Sequence, residues 1–211
     1  MMWIESCGVN LATRQYEPGP QDSAHFKVSR EKAPKKPKPE QKRGRRRMQI
    51  SNVTFDEIAI GDTATYTRLI TNQEVEAFAA ISGDHNPLHL DPEYAATTAF
   101  GECIAHGMLT GALISAAIAM QLPGPGSVYL SQNIQFRAPV FLGDTLTVTL
   151  EVTDKHGKRP WVTLGCTVEN QAGKAVAKGK AQVAAPTEKE TVTVVPPPAI
   201  QLLEDIALTS D

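Results

Sequence analysis

The segment HGMLTGALISAAIAMQL, at 106–122, presents apolar or small residues on every face of a helix. A surface helix of a globular protein has one apolar stripe, whereas a helix that is apolar all round lies inside the core. The sequence PGPG at 123–126 ends this helix firmly, because proline and glycine interrupt helical structure. The rest of the chain is therefore expected to fold around one central, buried helix.

Four successive strand patterns follow the helix. Apolar residues alternate with polar residues in TLTVTLEV and WVTLGCTV, and SVYLSQNIQFRAPV and AVAKGKAQVA have strand-like content. The connectors DKHGKR and NQAG are rich in glycine and polar residues, as in β-hairpins. This order predicts an α+β domain in which a curved antiparallel sheet wraps the central helix. One sheet around one helix leaves an edge and a face uncovered, so we expect a homodimer.

The part of the chain before the central helix contains one strand pattern, TATYTRLIT, and two short helix patterns. Thr71 and Glu74 form a capping-box signature ahead of EVEAFAAIS. Asp91 with Pro92 is an N-cap pair that begins a second short helix, DPEYAATTA. Between the two helices lies ISGDHNPLHLDP, at 81–92, which is dense in groups that can carry chemistry.

The 211 residues divide by charge into a basic leader and an acidic domain. Eleven of the 21 Lys and Arg residues lie between Lys27 and Arg47, whereas from Gln49 onward 9 Lys and Arg face 18 Asp and Glu, a net charge of −9. We predict a disordered basic leader at 1–47, one folded domain at 48–187 and a Pro-rich tail at 188–211. A basic tract is compatible with a nucleic-acid contact, but nothing downstream resembles a nucleic-acid-binding fold. We therefore expect a solvated leader and no nucleic-acid partner.

Composition excludes several classes of protein. No segment approaches the roughly 18 apolar residues that cross a bilayer, and MMWIESCGVN lacks the apolar block of a secretory signal. We therefore expect a cytoplasmic protein without a membrane partner. Cys7, Cys103 and Cys166 are far apart and match no disulfide or zinc pattern, so we expect reduced, mostly inert thiols and no bound metal.

The loop between the two short helices holds an acid and an imidazole that can act together. Gly83 and Pro87 bracket a tight turn, which fixes Asp84, Asn86 and His89 by covalent geometry. A carboxylate and an imidazole placed close together can share one water, and each can take or give a proton near neutral pH. The same residues also suit a plain capped turn, so the loop alone does not decide between chemistry and structure.

Gly107, at the start of the central helix, shifts the balance towards chemistry. Unpaired backbone N–H groups and the positive end of the helix dipole can hold an anionic oxygen there, and glycine lets a substrate carbonyl approach the backbone. With an acid and an imidazole, such a site suits attack by water conjugate to a carbonyl, where charge collects on the carbonyl oxygen. His106, one residue earlier, is interpreted as a packing histidine.

The segments ISGDHNPLHLD, AHGML and PGPGSVYLSQNIQFRAPVFLGD together resemble the MaoC-like, (R)-specific enoyl-CoA hydratases of the hot-dog fold. The hydratase motif is matched at Phe78, 82–84, 86–89 and Ala95, and the resemblance covers about residues 50–186. It implies a dimeric enzyme that adds water syn to a trans-2-enoyl-CoA and gives (R)-3-hydroxyacyl-CoA without a metal or redox cofactor. The pathway implied is fatty-acid oxidation or the supply of polyhydroxyalkanoate precursors.

The resemblance also implies roles for single residues. Asp84 and His89 would be the catalytic pair that activates the water and delivers a proton to the α-carbon. The backbone N–H of Gly107 would bind the thioester oxygen. Asn86 would brace the loop, and Ser115 would hydrogen-bond near the catalytic carboxylate.

Three other interpretations of the sequence stay open. The same fold also carries acyl-CoA thioesterases, in which water is aimed at the thioester carbonyl rather than at the β-carbon. The domain is also similar to the hydratase-like N-terminal part of bifunctional proteins that continue into a phosphate acyltransferase. The third alternative is a non-catalytic module that binds acyl groups or, through the leader, nucleic acid.

Overall fold

The computed structural model of the protein describes residues 48–195. In chain order they form strands β1 (Met48–Ser51) and β2 (Thr63–Leu69), helices α1 (Asn72–Ser82), α2 (Pro87–Leu90), α3 (Pro92–Ala96) and α4 (Gly107–Met120), and strands β3 (Val128–Phe136), β4 (Thr145–Lys155), β5 (Trp161–Glu169), β6 (Ala175–Ala184) and β7 (Thr191–Val194). Five strands form an antiparallel sheet in the order β2-β4-β5-β6-β3, and β1 pairs with β7. The predicted α+β architecture is confirmed.

One face of the sheet is buried because apolar and polar residues alternate along its central strands. In β4, Val148 and Leu150 are fully buried, and the residues between the buried positions stay partly exposed. The same alternation in β5 falls in register, so that Val168 lies opposite Val148 and Cys166 opposite Leu150. Each fully buried Val or Leu stabilises the fold by about 1.5–3 kcal/mol. The period-two pattern therefore specifies which face of the sheet forms the core.

Helix α4 packs one face onto that core. Ile114, Ala117 and Ile118 are buried and belong to the same hydrophobic cluster as the strand residues. The helix also has an exposed stripe, formed by Met108, Ala112, Ser115 and Ala119. The prediction of a central core helix is confirmed, but the expectation that it is buried on every side is corrected for the single chain. The exposed stripe could not be predicted from the sequence, because its Ala and Ser side chains are small and neither clearly apolar nor clearly polar.

Both predicted capping signatures are present. The Thr71 hydroxyl accepts a hydrogen bond from the Glu74 N–H, and the Glu74 carboxylate accepts one from the Thr71 N–H in return. The Asp91 carboxylate accepts from the backbone N–H groups of Glu93 and Tyr94. These caps fix where α1 and α3 begin, and so they frame the polar loop between them.

Strand β7 lies in the segment that we predicted as a tail. It pairs along its length with β1. The buried side chain of Asn52 donates to the Glu188 carbonyl at 2.9 Å and accepts from the Glu190 N–H at 3.0 Å. The folded part of the chain therefore extends past residue 187, where we predicted the domain to end, and includes residues 188–194. Strands of four residues are too short for their alternation to stand out in a sequence.

The fold leaves the predictions for the leader, for the end of the tail and for the cellular location untested. The basic leader at 1–47 and the end of the tail, 196–211, lie outside the described residues. Within residues 48–195, no helix is long and apolar enough to cross a membrane. A cytoplasmic location stays a prediction.

Candidate active site

The polar loop lies between α1 and α3 and is held at both ends. Helix α1 stops because Gly83 adopts a φ of 76°, a left-handed conformation that glycine reaches without strain, and its N–H bonds to the Ala79 carbonyl. Asn86 caps the short helix α2 by accepting from the Leu88 N–H at 3.0 Å. This cap is the side-chain hydrogen bond of Asn86 to the loop, and its bracing role in the site stays a prediction. Asp84 is therefore carried on a short, doubly anchored turn.

Asp84 and His89 face each other across this turn. The Asp84 side chain is 54% exposed, and its Oδ1 accepts a long hydrogen bond, 3.3 Å, from the Asn86 N–H. Its Oδ2 lies 4.0 Å from Nε2 of His89. That separation is too long for a direct hydrogen bond, but it suits a water that contacts both atoms.

The His89 ring is buried and its orientation is fixed by the backbone. Nδ1 lies 2.7 Å from the carbonyl oxygen of Ile104, and because a carbonyl oxygen only accepts, Nδ1 carries the hydrogen. In the neutral ring, Nε2 is then the unprotonated nitrogen, and it faces Asp84. The Ile104 N–H bonds back to the Leu88 carbonyl at 3.4 Å, so the two segments hold each other. This tautomer presents a proton acceptor to the space beside the carboxylate.

The N-terminus of α4 opens onto the same region. No side chain in the described part of the chain caps this helix end. The Leu109 N–H bonds to the His106 carbonyl at 3.0 Å, which leaves the N–H groups of Gly107 and Met108 available to a ligand. Gly107, the first helical residue, lines a pocket of about 380 Å³ together with His89 and Thr110. The pocket therefore joins a polar helix end to the His89 imidazole.

Phe136 and Thr110 line the pocket beside Gly107 and were not predicted from the sequence. A Cβ at position 107 would lie 3.1 Å from the ring of Phe136, which is half exposed at the end of β3. Thr110 lies one turn after Gly107 and is buried against the same pocket. Glycine at 107 thus leaves room for an aromatic ring as well as for a ligand. Both missed residues lie inside regular elements, where nothing local distinguishes them from packing residues.

Ser115 lies apart from the other predicted site residues. It belongs to the exposed stripe of α4, and no hydrogen bond joins its side chain to Asp84 within residues 48–195. The structure therefore brings together Asp84, Asn86, His89 and Gly107, whereas the role of Ser115 stays a prediction.

A group of three potential metal ligands, Asp84, His89 and His106, occurs at the site, and residues 48–195 contain no other such group. The two imidazole rings are stacked, with centroids 3.8 Å apart and planes inclined by 30°. Each ring already bonds a backbone carbonyl through one nitrogen. Stacked rings direct their remaining lone pairs along nearly parallel planes, so this arrangement does not suit an ion held by both.

The two cysteines in the described part of the chain are free. Burial raises the pKa of the Cys166 thiol to about 11. Burial, followed by the charges of Asp91 and Glu102, also raises the pKa of the Cys103 thiol. Both thiols are therefore protonated near neutral pH, and neither lines the pocket. Cys7 lies outside the described residues.

Comparison with known proteins places this chain in a family. The sequence profile of the MaoC like domain matches residues 41–174. The chain is 45% identical over 129 residues to the (R)-specific enoyl-CoA hydratase of Aeromonas caviae, a match that covers 61% of this chain and 96% of that protein. It is 42% identical over 136 residues to the 3-hydroxybutyryl-CoA dehydratase of Methylorubrum extorquens, which covers 64% of this chain and 86% of that protein.

Solved structures similar to this chain agree with the family match. The R-hydratase PhaJ1 from Pseudomonas aeruginosa, in its unliganded form, matches with a TM-score of 0.71 and 51% identity, over 74% of this chain and 99% of that chain. The (R)-hydratase from Aeromonas caviae involved in PHA biosynthesis matches with a TM-score of 0.60 and 45% identity, over 61% of this chain and 98% of that chain.

The sheet, the helix and these structural matches define a protein of the hot-dog fold. The chain belongs to the MaoC-like domain family, and it is an enzyme of the hydro-lyase class. The family and the fold predicted from the sequence are both confirmed.

Proposed function

We propose that the protein is an (R)-specific enoyl-CoA hydratase, which adds water to a trans-2-enoyl-CoA and gives (R)-3-hydroxyacyl-CoA. One observation carries this proposal: Asp84 Oδ2 and His89 Nε2 lie 4.0 Å apart. They lie beside a pocket that is also lined by the N-terminus of α4, which no side chain caps among the described residues. The relatives from Aeromonas caviae and Pseudomonas aeruginosa are hydratases by name, which supports the same chemistry here.

A water held between Asp84 and His89 is the nucleophile. Both facing atoms accept hydrogen bonds, and one water oxygen can lie about 2.8 Å from each of them. The water oxygen bonds to C3 of the enoyl thioester while one of its protons passes to the Asp84–His89 pair. A proton then returns from the pair to C2, so that the hydroxyl and the hydrogen of one water end on neighbouring carbons. The pair acts on this water as one coupled unit.

Gly107 holds the charge that develops during this addition. When water attacks C3, the electrons of the C2–C3 double bond move onto the thioester oxygen as an enolate. The Gly107 N–H and the dipole of α4 stabilise that oxygen, an effect worth about 10²–10³ in rate for a single donor. Asp84 and His89 serve the same water on one side of the substrate, so hydroxyl and hydrogen are added syn.

A row of cations supports a CoA thioester as the substrate. Arg137 borders the pocket and bonds to Gln135, which lines a second cleft with Lys178 and Lys180. None of these three cations has an acidic ion-pair partner within residues 48–195. In an acidic domain, one unpaired cation at the pocket and two at the second cleft suit the phosphates of CoA.

We propose that the reaction needs no metal and no redox cofactor. Hydration transfers no electrons to or from an external acceptor, and Asp84, His89 and Gly107 supply the proton transfers and the oxyanion donor. Dialysis against a chelator is expected to leave turnover of crotonyl-CoA unchanged. Loss of turnover that a divalent ion restores would contradict this.

We propose that the enzyme works as a homodimer. Strand β3 lies at an edge of the sheet and exposes Val128, Tyr129 and Leu130. It contacts α4, whose exposed stripe has no cover in the single chain. An apolar edge strand next to an uncovered helix face suits pairing with a second copy.

The proposed product indicates two pathways. An (R)-3-hydroxyacyl-CoA formed by hydration would serve fatty-acid oxidation or supply precursors for polyhydroxyalkanoate. The Aeromonas caviae relative is described as involved in PHA biosynthesis, which favours the second role.

Incubation with crotonyl-CoA tests the proposal against a thioesterase. A hydratase removes the absorbance of the conjugated enoyl thioester and releases no free thiol. Release of CoA thiol at the rate of substrate loss would show hydrolysis and overturn the proposal.

A further inference from the structure

His106 does more than fill space, because its side chain makes a directed contact to the site. The residue is 2% exposed, and its Nε2 lies 3.0 Å from the backbone carbonyl oxygen of Asp84. A carbonyl oxygen only accepts, so Nε2 carries the hydrogen and donates it. The donor holds the backbone of the loop at the residue that bears the catalytic carboxylate.

The other nitrogen of this ring has no partner. Nδ1 of His106 is the one buried side-chain nitrogen or oxygen within residues 48–195 that makes no hydrogen bond. A buried polar atom left unpaired costs stability, and a phenylalanine or leucine would fill the same space without that cost. Packing alone therefore does not account for histidine at this position.

The ring also contacts the catalytic imidazole. His106 and His89 are stacked with centroids 3.8 Å apart, and Phe78 packs on His106 with centroids 5.1 Å apart. The flat face of His106 thus limits the tilt of the His89 ring, whose Nε2 must point towards Asp84. A flexible side chain at 106 would leave that tilt free.

The backbone of His106 provides a third connection. His106 is the residue immediately before Gly107 and occupies the N-cap position of α4, with a φ of −58° and a ψ of 135°. Its peptide bond therefore sets the direction of the Gly107 N–H. One residue contacts the Asp84 carbonyl and the His89 ring, and is covalently bonded to the oxyanion donor.

We propose that His106 is the positioning residue of this site, which fixes the relative placement of Asp84, His89 and Gly107. The inference rests on the proposed hydratase function for its kinetic consequence, but not for its geometry. The position requires a hydrogen-bond donor to the Asp84 carbonyl and a flat surface against the His89 ring. Histidine combines the donor at Nε2 with a flat ring, whereas glutamine offers only the donor and phenylalanine only the ring.

Three variants separate these contributions. His106→Leu removes donor and flat ring together and is expected to lower kcat for crotonyl-CoA about 100-fold, the loss that a misplacement of about 1 Å produces, with KM little changed. His106→Gln and His106→Phe each restore one contribution and should each recover part of that loss. His156→Gln is the matched control, because His156 packs against Trp161 in the β4–β5 hairpin. Wild-type kcat in a folded His106→Leu variant would overturn the proposal, as would losses no larger than that of the control.

Nitrogen NMR of the histidine side chains gives a readout that needs no substrate. Wild-type protein is expected to show His106 protonated at Nε2 and unprotonated at Nδ1, and His106→Leu should shift or broaden the His89 Nδ1–H signal. An Nδ1–H tautomer at His106, or an unchanged His89 signal in the variant, would overturn the proposal. If wild-type protein failed to hydrate crotonyl-CoA, the proposed function would fail, while these signals would still decide the positioning role.

Discussion

Among single residues, Asp84 and His89 are the two on which the proposed addition of water depends. Asp84→Asn and His89→Gln each alter one of the two acceptors of the bridging water while keeping the side chain polar and similar in size. We expect kcat for crotonyl-CoA to fall by about 10²–10⁴ in each variant, the usual worth of a positioned acid or base. Steady-state kinetics, with circular dichroism to verify the fold, measure this.

His85→Gln is the matched control for these variants. His85 is exposed on the same loop, and its side chain makes no hydrogen bond within residues 48–195. Its replacement should leave kcat close to that of the wild type. Near-wild-type turnover in Asp84→Asn or His89→Gln would remove the pair from the mechanism.

The sequence located the loop residues of the site but not all of its pocket. Asp84 and His89 could be predicted because an acid and an imidazole lie close together in one short loop of the sequence. Phe136 could not, because it meets Gly107 only once β3 has folded against α4. His106 was interpreted as a packing residue; its burial agrees with that, but its hydrogen bond to the loop backbone required coordinates.

At the scale of elements, Gly179 controls how closely β3 and β6 approach. A Cβ at this position would lie 2.0 Å from the backbone oxygen of Asn133, which cannot move without breaking the strand pairing. Gly179→Ala is expected to lower the free energy of unfolding by about 3 kcal/mol. Gly157→Ala is the control, because a Cβ there meets nothing within 4 Å. Equal urea unfolding curves for the two variants would contradict the packing described for this strand pair.

Arg137 at the pocket and the two lysines of the second cleft give a further prediction. Replacing Arg137, Lys178 and Lys180 by alanine removes the charges that would face the CoA phosphates, so KM for crotonyl-CoA should rise about tenfold, as if roughly 1.4 kcal/mol of binding were lost. KM for crotonyl-pantetheine, which lacks those phosphates, should not change. Added salt should narrow the gap between wild type and variant, because it screens exposed charges. An equal rise in KM for both thioesters would refute a phosphate contact.

The long elements were predictable, and so was the short helix α3 through its Asp91 cap, but the four-residue elements were not. Alternation over eight residues marked β4 and β5, and a capping box marked the start of α1. Strands β1 and β7 and helix α2 have four residues each, which is too few for a period to show. Their positions depend on tertiary contacts such as those of Asn52.

At the scale of the whole molecule, the uncovered edge predicts association. We expect a homodimer by light scattering, because β3 and the exposed stripe of α4 leave apolar surface open. Leu130→Lys places a charge on that edge and should shift the mass towards that of the monomer. Ile60→Lys, at a residue 66% exposed outside the sheet and helices, is the control and should stay dimeric. A monomeric wild-type protein that retains full activity would refute the dimer proposal.

The central claim is that Asp84 and His89 add one water across the double bond from a single side, with Gly107 holding the thioester oxygen. The most direct measurement is proton NMR of the product formed from crotonyl-CoA in deuterium oxide, combined with chiral analysis at C3. We expect (R)-3-hydroxybutyryl-CoA with a single deuterium at C2, added syn to the hydroxyl. An (S) product, or deuterium added anti to the hydroxyl, would contradict it.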